Sequence, residues 1–133
     1  MPDAESDTHA LIWYLENDPR LSPAASVLFD ACDRGTIVVY IPTICLVEIL
    51  YLQEKRRIPS DLKDRFDTML RTGRTGLILA DLTSEVAATV ARVARAEVPD
   101  LPDRIVAPTA LHLGVPVISR DRKIQASNVT TIW

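Results

Sequence analysis

Residues 36–41 read Thr-Ile-Val-Val-Tyr-Ile, a short, continuously apolar and β-branched run. A parallel strand covered on both faces reads this way, and it requires helices above and below it. The flanking punctuation supplies them. Ser22-Pro23 places an N-cap before a proline at the first helical position and predicts a helix that stops at Gly35. Pro42-Thr43 opens a helix carrying Glu48, and Ser60-Asp61 opens another to about Arg71. Residues 76–80 repeat the buried-strand signature, Thr83 is placed to cap a helix to about Ala96, and residues 100–113 read as a helix closed by Gly114. A strand follows from Val115 to Ser119, with a short last one from Val129 to Ile132, while Thr8 is expected to cap a first helix through about Asn17. Strands separated by helices imply an α/β fold, a mostly parallel central sheet between helical layers, with ligands bound outside the carboxyl ends of the strands.

A chain of 133 residues, 47% of them apolar, is expected to form a single domain over residues 1–133 with an adequate core. Cys32 and Cys45 fit no metal or redox spacing and read as small buried hydrophobes. The N-terminal segment has neither a positive start nor an apolar stretch, and no later apolar run is long enough to span a bilayer. The expected location is cytoplasmic, with no membrane partner. The net charge of −3 is unevenly spread. Lys55, Arg56, Arg57, Lys63, Arg65, Arg71 and Arg74 form one basic stretch, best read as a solvated face, whereas Arg104, Arg120, Arg122 and Lys123 neighbour a set of acids and are candidates for holding substrate.

Those acids carry the chemistry. Glu48 is the only side chain charged at neutral pH in the apolar run 44–52, and a buried carboxylate needs a proton, a cationic partner or a metal. Asp7 would follow the first strand and Asp121 the Val115 strand, while Asp103 and Glu48 would lie in early turns of helices starting at the same edge. Asp7, Asp103 and Asp121 each have a bland reading as a cap, first-turn or turn residue, but Glu48 has none, and the joint placement of the acids at one edge is harder to explain that way. Clustered carboxylates repel. Oxygen-only ligation suits Mg²⁺ or Mn²⁺, and such a site suits phosphodiester hydrolysis. Thr8 and Ser119 are the hydroxyls best placed to orient a ligand or water.

Asp7-Thr8-His9-Ala10-Leu11-Ile12-Trp13, Glu48 within an apolar helix, the segment from Asp100 through Asp103 and Arg104 to Ala107, and the segment from Val117 to Asp121 together resemble the four motifs of PIN-domain ribonucleases. The likeness is in particular to the VapC-type toxins of bacterial toxin–antitoxin pairs. The resemblance runs through essentially the whole chain in the right order. It implies a three-layer α/β/α domain, Mg²⁺- or Mn²⁺-dependent cleavage of RNA, homodimerisation, and inhibition by a cognate antitoxin protein. By position, Asp7, Glu48, Asp103 and Asp121 match the acidic metal site, and Asp100 matches an additional acid ahead of the third one.

Two features depart from that pattern. Residues 2–6, Pro-Asp-Ala-Glu-Ser, make a poor central strand where the family has an apolar one, and Pro108 falls inside the Asp103 helix, where it removes a hydrogen bond to the Arg104 carbonyl. They leave a second reading, a PIN-like binding module without catalysis. His9 reads better as a packed or capping residue and His112 as a helix-end residue. A phosphotransferase with an aspartyl nucleophile wants a second acid two residues after Asp7, where this chain has His9.

Overall fold

The computed structural model describes residues 1–73, 75–98 and 100–133. Strands and helices succeed one another as β1 (Ala4–Ser6), α1 (Thr8–Leu15), α2 (Pro23–Asp33), β2 (Val39–Pro42), α3 (Thr43–Glu54), α4 (Leu62–Thr72) and β3 (Leu77–Ala80). They continue with α5 (Ser84–Thr89), a 3₁₀ turn (Val90–Arg92), α6 (Asp103–Leu113), β4 (Val117–Ile118), α7 (Arg122–Ala126) and β5 (Thr131–Ile132). The strands form one sheet in the order β3-β2-β1-β4-β5. Every pairing is parallel. This is the expected α/β/α arrangement.

Local chemistry explains the element ends. Ser22 caps α2 by accepting from the Ala25 N–H at 3.1 Å, with Pro23 beside it in the first turn. Gly114, at φ 69°, takes the left-handed conformation that closes α6. Gly76 is required for a different reason: a Cβ there would stand 2.0 Å from the Ile37 carbonyl oxygen, so only glycine lets the chain enter β3 alongside residue 37.

Several expectations need correction. Asp7, not Thr8, caps α1, which ends at Leu15. β3 is an edge strand rather than a buried one, with Ile78 46% exposed. The Thr83 helix stops at Thr89, passes through the 3₁₀ turn and does not reach Ala96; α6 starts at Asp103, and α7 went unforeseen. Pro108 does not break α6, which runs through it with Pro108 buried. Arg74, counted in the basic stretch, lies outside the described residues. Within that stretch Lys63 pairs with Asp67, and Arg65 with Glu16 and Asp61, as a solvated charged face would.

The weak first strand is the most informative correction. β1 has only three residues but occupies the middle of the sheet, paired with β2 on one side and β4 on the other. Its neighbours therefore supply the order that its own propensity lacks. The consequence is that Glu5 is fully buried, opposite Tyr40 and Val117 in register, and neither carboxyl oxygen has a hydrogen-bond partner among the described residues. Burial, then the neighbouring Asp7, raises its pKa well above the ordinary 4.5.

A raised carboxyl pKa means that the folded chain tolerates Glu5 when protonated, and that stability falls as pH rises past 4.5, where the unfolded chain releases the proton. Glu5→Leu should therefore stabilise the domain at pH 7 by about 1–3 kcal/mol, the cost of an unsatisfied buried polar group. It should also flatten the stability decline above pH 4.5, as followed by urea denaturation. A less stable Glu5→Leu protein at neutral pH would show that Glu5 has a partner which compensates its burial.

Candidate active site

The strand order reverses between β1 and β4, which leave the centre of the sheet in opposite directions. In an open parallel sheet this reversal leaves a crevice at the carboxyl ends. Asp7 directly follows β1, and Asp121 follows β4 after Ser119 and Arg120, so both acids flank that crevice. A cleft of about 380 Å³ opens there, lined by Asp7, Thr8, Glu48, Asp100, Asp103 and Asp121, with His9, Trp13, Arg20 and Arg120 completing its wall.

Helix capping holds two of the acids. Asp7 Oδ1 accepts from the Ala10 N–H at 2.9 Å, and Asp121 Oδ1 accepts from the amides of Lys123 and Ile124 at 2.8 and 3.1 Å. The capping reading and the cleft reading are thus both right: the helix amides fix the rotamer, and each carboxylate still lines the cleft. Ser119 is fully buried between them. Its Oγ accepts from the Asp121 N–H at 3.0 Å, and its nearby hydroxyl counteracts the rise in the Asp7 pKa. Thr8 Oγ1 donates to Glu48 Oε1, tying the start of α1 to α3. Asp103 stands at the first position of α6, and α6 keeps it in the cleft despite Pro108.

Three sequence expectations fail here. Glu48 was expected to be buried in an apolar helix, but α3 buries Cys45 and Ile49 while Val47, Leu50 and Tyr51 face solvent, so Glu48 is only half-buried. The outer face of α3 is apolar yet exposed, so apolar neighbours in sequence do not bury Glu48. Arg104 does not face the cleft: its Nη2 donates to the carbonyls of Val90 and Val93 at 3.5 and 3.3 Å, tying α6 to the 3₁₀ turn. Arg122 is exposed on α7 and does not line the cleft, whereas Arg120 does. Arg20 and Trp13 line it as well. Arg20 could not be anticipated, because it belongs to the α1–α2 connection and no motif marks it; Trp13 lay within the first motif but read only as apolar.

Electrostatics sets the chemistry of the cleft. Burial, reinforced by Asp121, Asp100, Asp7 and Glu48 in that order, pushes the Asp103 pKa up from 3.8 to about 7. Burial also raises Asp7, opposed by its bonds to Ser119 and the Ala10 amide and by His9. Among the described residues none of Asp7, Glu48, Asp103 or Asp121 belongs to an ion pair. Repelling, unneutralised oxygen donors fit a hard divalent cation. Among the described residues no three His, Cys, Asp or Glu side chains form a ready-made cage, an arrangement compatible with Mg²⁺ or Mn²⁺, which keep several waters and take few carboxylates directly.

The family model of the PIN domain matches residues 6–128. Among solved structures, the chain is similar to VapBC2 from Rickettsia felis bound to a DNA fragment from its promoter, with TM-score 0.72, 13% identity, and coverage of 97% of this chain and 96% of that one. It is also similar to FitAB bound to the IR36 DNA fragment, with TM-score 0.67, 18% identity and coverage of 96% and 92%. A toxin–antitoxin complex from Klebsiella pneumoniae gives TM-score 0.55, 18% identity and coverage of 92% and 90%. No curated protein sequence matches significantly.

The shift of Asp103 has a measurable sign. Because its folded pKa lies above the unfolded 3.8, the contribution of Asp103 to apo stability should be fullest below about pH 4 and fall as pH rises towards 7. Thermal unfolding in EDTA across that range should show this decline, and Asp103→Asn, which removes the charge, should reduce it. An equal decline in the two proteins would mean that Asp103 does not sense its acidic neighbours.

Proposed function

Because the chain belongs to the PIN-domain family, we propose that it is a divalent-metal-dependent endoribonuclease hydrolysing RNA phosphodiester bonds, the toxin of a toxin–antitoxin pair. One observation carries this reading: Asp7 and Asp121 at two helix N-caps, Glu48 in α3 and Asp103 in α6 converge on one cleft with no ion pair among the described residues to neutralise them.

Mg²⁺ or Mn²⁺ would be held at this wall by one or two of these four acids directly and by the others through its waters, with Asp100 as an additional acid beside them. When bound, such an ion lowers the pKa of a coordinated water and neutralises charge on the phosphate and the leaving oxygen. The protein's part is positioning and proton balance. The amide caps hold Asp7 and Asp121, the Ser119 hydroxyl accepts from the Asp121 amide, and Thr8 sets the Glu48 carboxylate. With a pKa of about 7, Asp103 shares a proton with solvent near neutral pH and gives it up when positive charge enters the cleft. RNA as substrate rests on the family likeness.

One of the solved neighbours is a toxin–antitoxin complex, and on that likeness this chain would pair with a cognate antitoxin; the homodimer rests on the VapC-type resemblance of its motifs. The outer face of α3 supports a protein partner, because Val47 and Tyr51 are 59% and 57% exposed. Together with Leu50 and Pro102 they line an apolar groove that shares Glu48 and Asp100 with the cleft.

Calorimetric titration with Mn²⁺ and cleavage of single-stranded RNA in Mg²⁺ or Mn²⁺ test the reading together. Glu48→Gln and Asp103→Asn should remain folded and lose cleavage by at least the roughly 100-fold that loss of a ligand-orienting partner causes at metal sites. Either variant cleaving at the wild-type rate would remove its residue from the site. A wild-type protein that binds Mn²⁺ without cutting RNA would be a binding module.

A further inference from the structure

The cleft wall holds a second arrangement that the acids do not explain. The Arg20 guanidinium carbon lies 5.0 Å from the Trp13 ring centroid, and that of Arg120 lies 5.3 Å from the same centroid. Both distances fall inside the range of cation–π attraction. Asp18 holds Arg20 from the other side. It accepts from Arg20 Nε at 3.1 Å and from Nη2 at 2.8 Å, and from the Arg20 backbone N–H at 2.8 Å. Arg120 is exposed and, among the described residues, belongs to no ion pair although acids line the same cleft.

Trp13 itself is only 7% exposed, packed against Trp133 at 5.6 Å and near His9 at 5.8 Å. Its face is therefore not open to a nucleobase, and what it offers the cleft is the fixed placement of two guanidiniums. A guanidinium has more N–H donors than these contacts use, and its planar fork matches phosphate oxygens.

We propose that Arg20 and Arg120, held on the Trp13 ring, form a two-guanidinium clamp for a backbone phosphate of the RNA strand that enters the acidic cleft. The assignment rests on the nuclease reading above, since it names where that substrate is gripped. Trp13 is a positioning residue. The clamp answers an electrostatic problem, because a cleft lined by carboxylates repels a polyanion until cations meet it at the edge. Contacts to phosphate carry no base information, so the clamp strengthens binding without choosing the cleavage sequence.

The test is the affinity of the full chain for a fluorescently labelled single-stranded RNA, measured by anisotropy over a range of KCl concentrations with Ca²⁺ present. Arg20→Ala and Arg120→Ala should each weaken binding roughly tenfold. Each should also lower the salt slope by about 0.7, the value for one lost contact to a single strand. The loss should be equal for RNAs of different sequence. Arg122→Ala, exposed outside the cleft, is the matched control and should leave both quantities unchanged. Trp13→Phe should keep most of the affinity by preserving an aromatic platform, and Trp13→Leu should lose it; if Trp13→Leu does not fold, the arginine variants decide alone. Unchanged affinity and slope in Arg20→Ala and Arg120→Ala, or an equal loss in Arg122→Ala, would overturn the clamp. So would wild-type protein that binds no RNA. Wild-type protein that binds RNA through these arginines yet does not cleave it in Mn²⁺ would retain the clamp and refute the nuclease reading.

Discussion

Like-charge crowding at the carboxyl edge of the sheet is the constraint around which the rest of this molecule is arranged. Asp7, Glu48, Asp103 and Asp121 line one partly desolvated cleft, and their mutual repulsion adds to burial in carrying Asp103 to a pKa of about 7. Such a group is costly in an apo fold. It persists because each acid is held by something local: helix amides at Asp7 and Asp121, the Thr8 hydroxyl at Glu48, and the start of α6 at Asp103. The strain is localised at the cleft where, on the proposed function, a cation would relieve it.

Glu5 extends this trade into the core. A fully buried glutamate in the central strand, with no hydrogen-bond partner among the described residues, opposes folding. The strand survives because its backbone is paired on both sides and its register is set by β2 and β4. Pro108 is a parallel case: a residue that disfavours a helix sits inside α6, buried, and the helix continues because packing outweighs local preference. In both places tertiary context overrides propensity within a few residues of the acids.

The cations show how position in space differs from position in sequence. Arg104 and Arg120 are both neighbours of acids along the chain, yet Arg104 turns away to the carbonyls of Val90 and Val93 while Arg120 lies over Trp13 at the cleft. Arg20 arrives there from a connection far from any acidic motif. The proposed functional surface thus combines acids from strand ends and from helices α3 and α6 with two arginines that meet over one tryptophan ring.

The order of strands and helices was legible in the linear chain, because caps, glycines and β-branched runs act over a few residues. So was the edge at which Asp7, Glu48, Asp103 and Asp121 meet, since residues after parallel strands and in early helical turns share one end of the sheet. Burial was not legible: Glu48 looked enclosed and is half-exposed, whereas Glu5 looked unfit for the core and is fully enclosed. Nor was the choice among arginines. Those outcomes depend on the strand order β3-β2-β1-β4-β5 and on which face each helix turns inward. Both are set by packing among residues distant in sequence, so only the tertiary structure decides them.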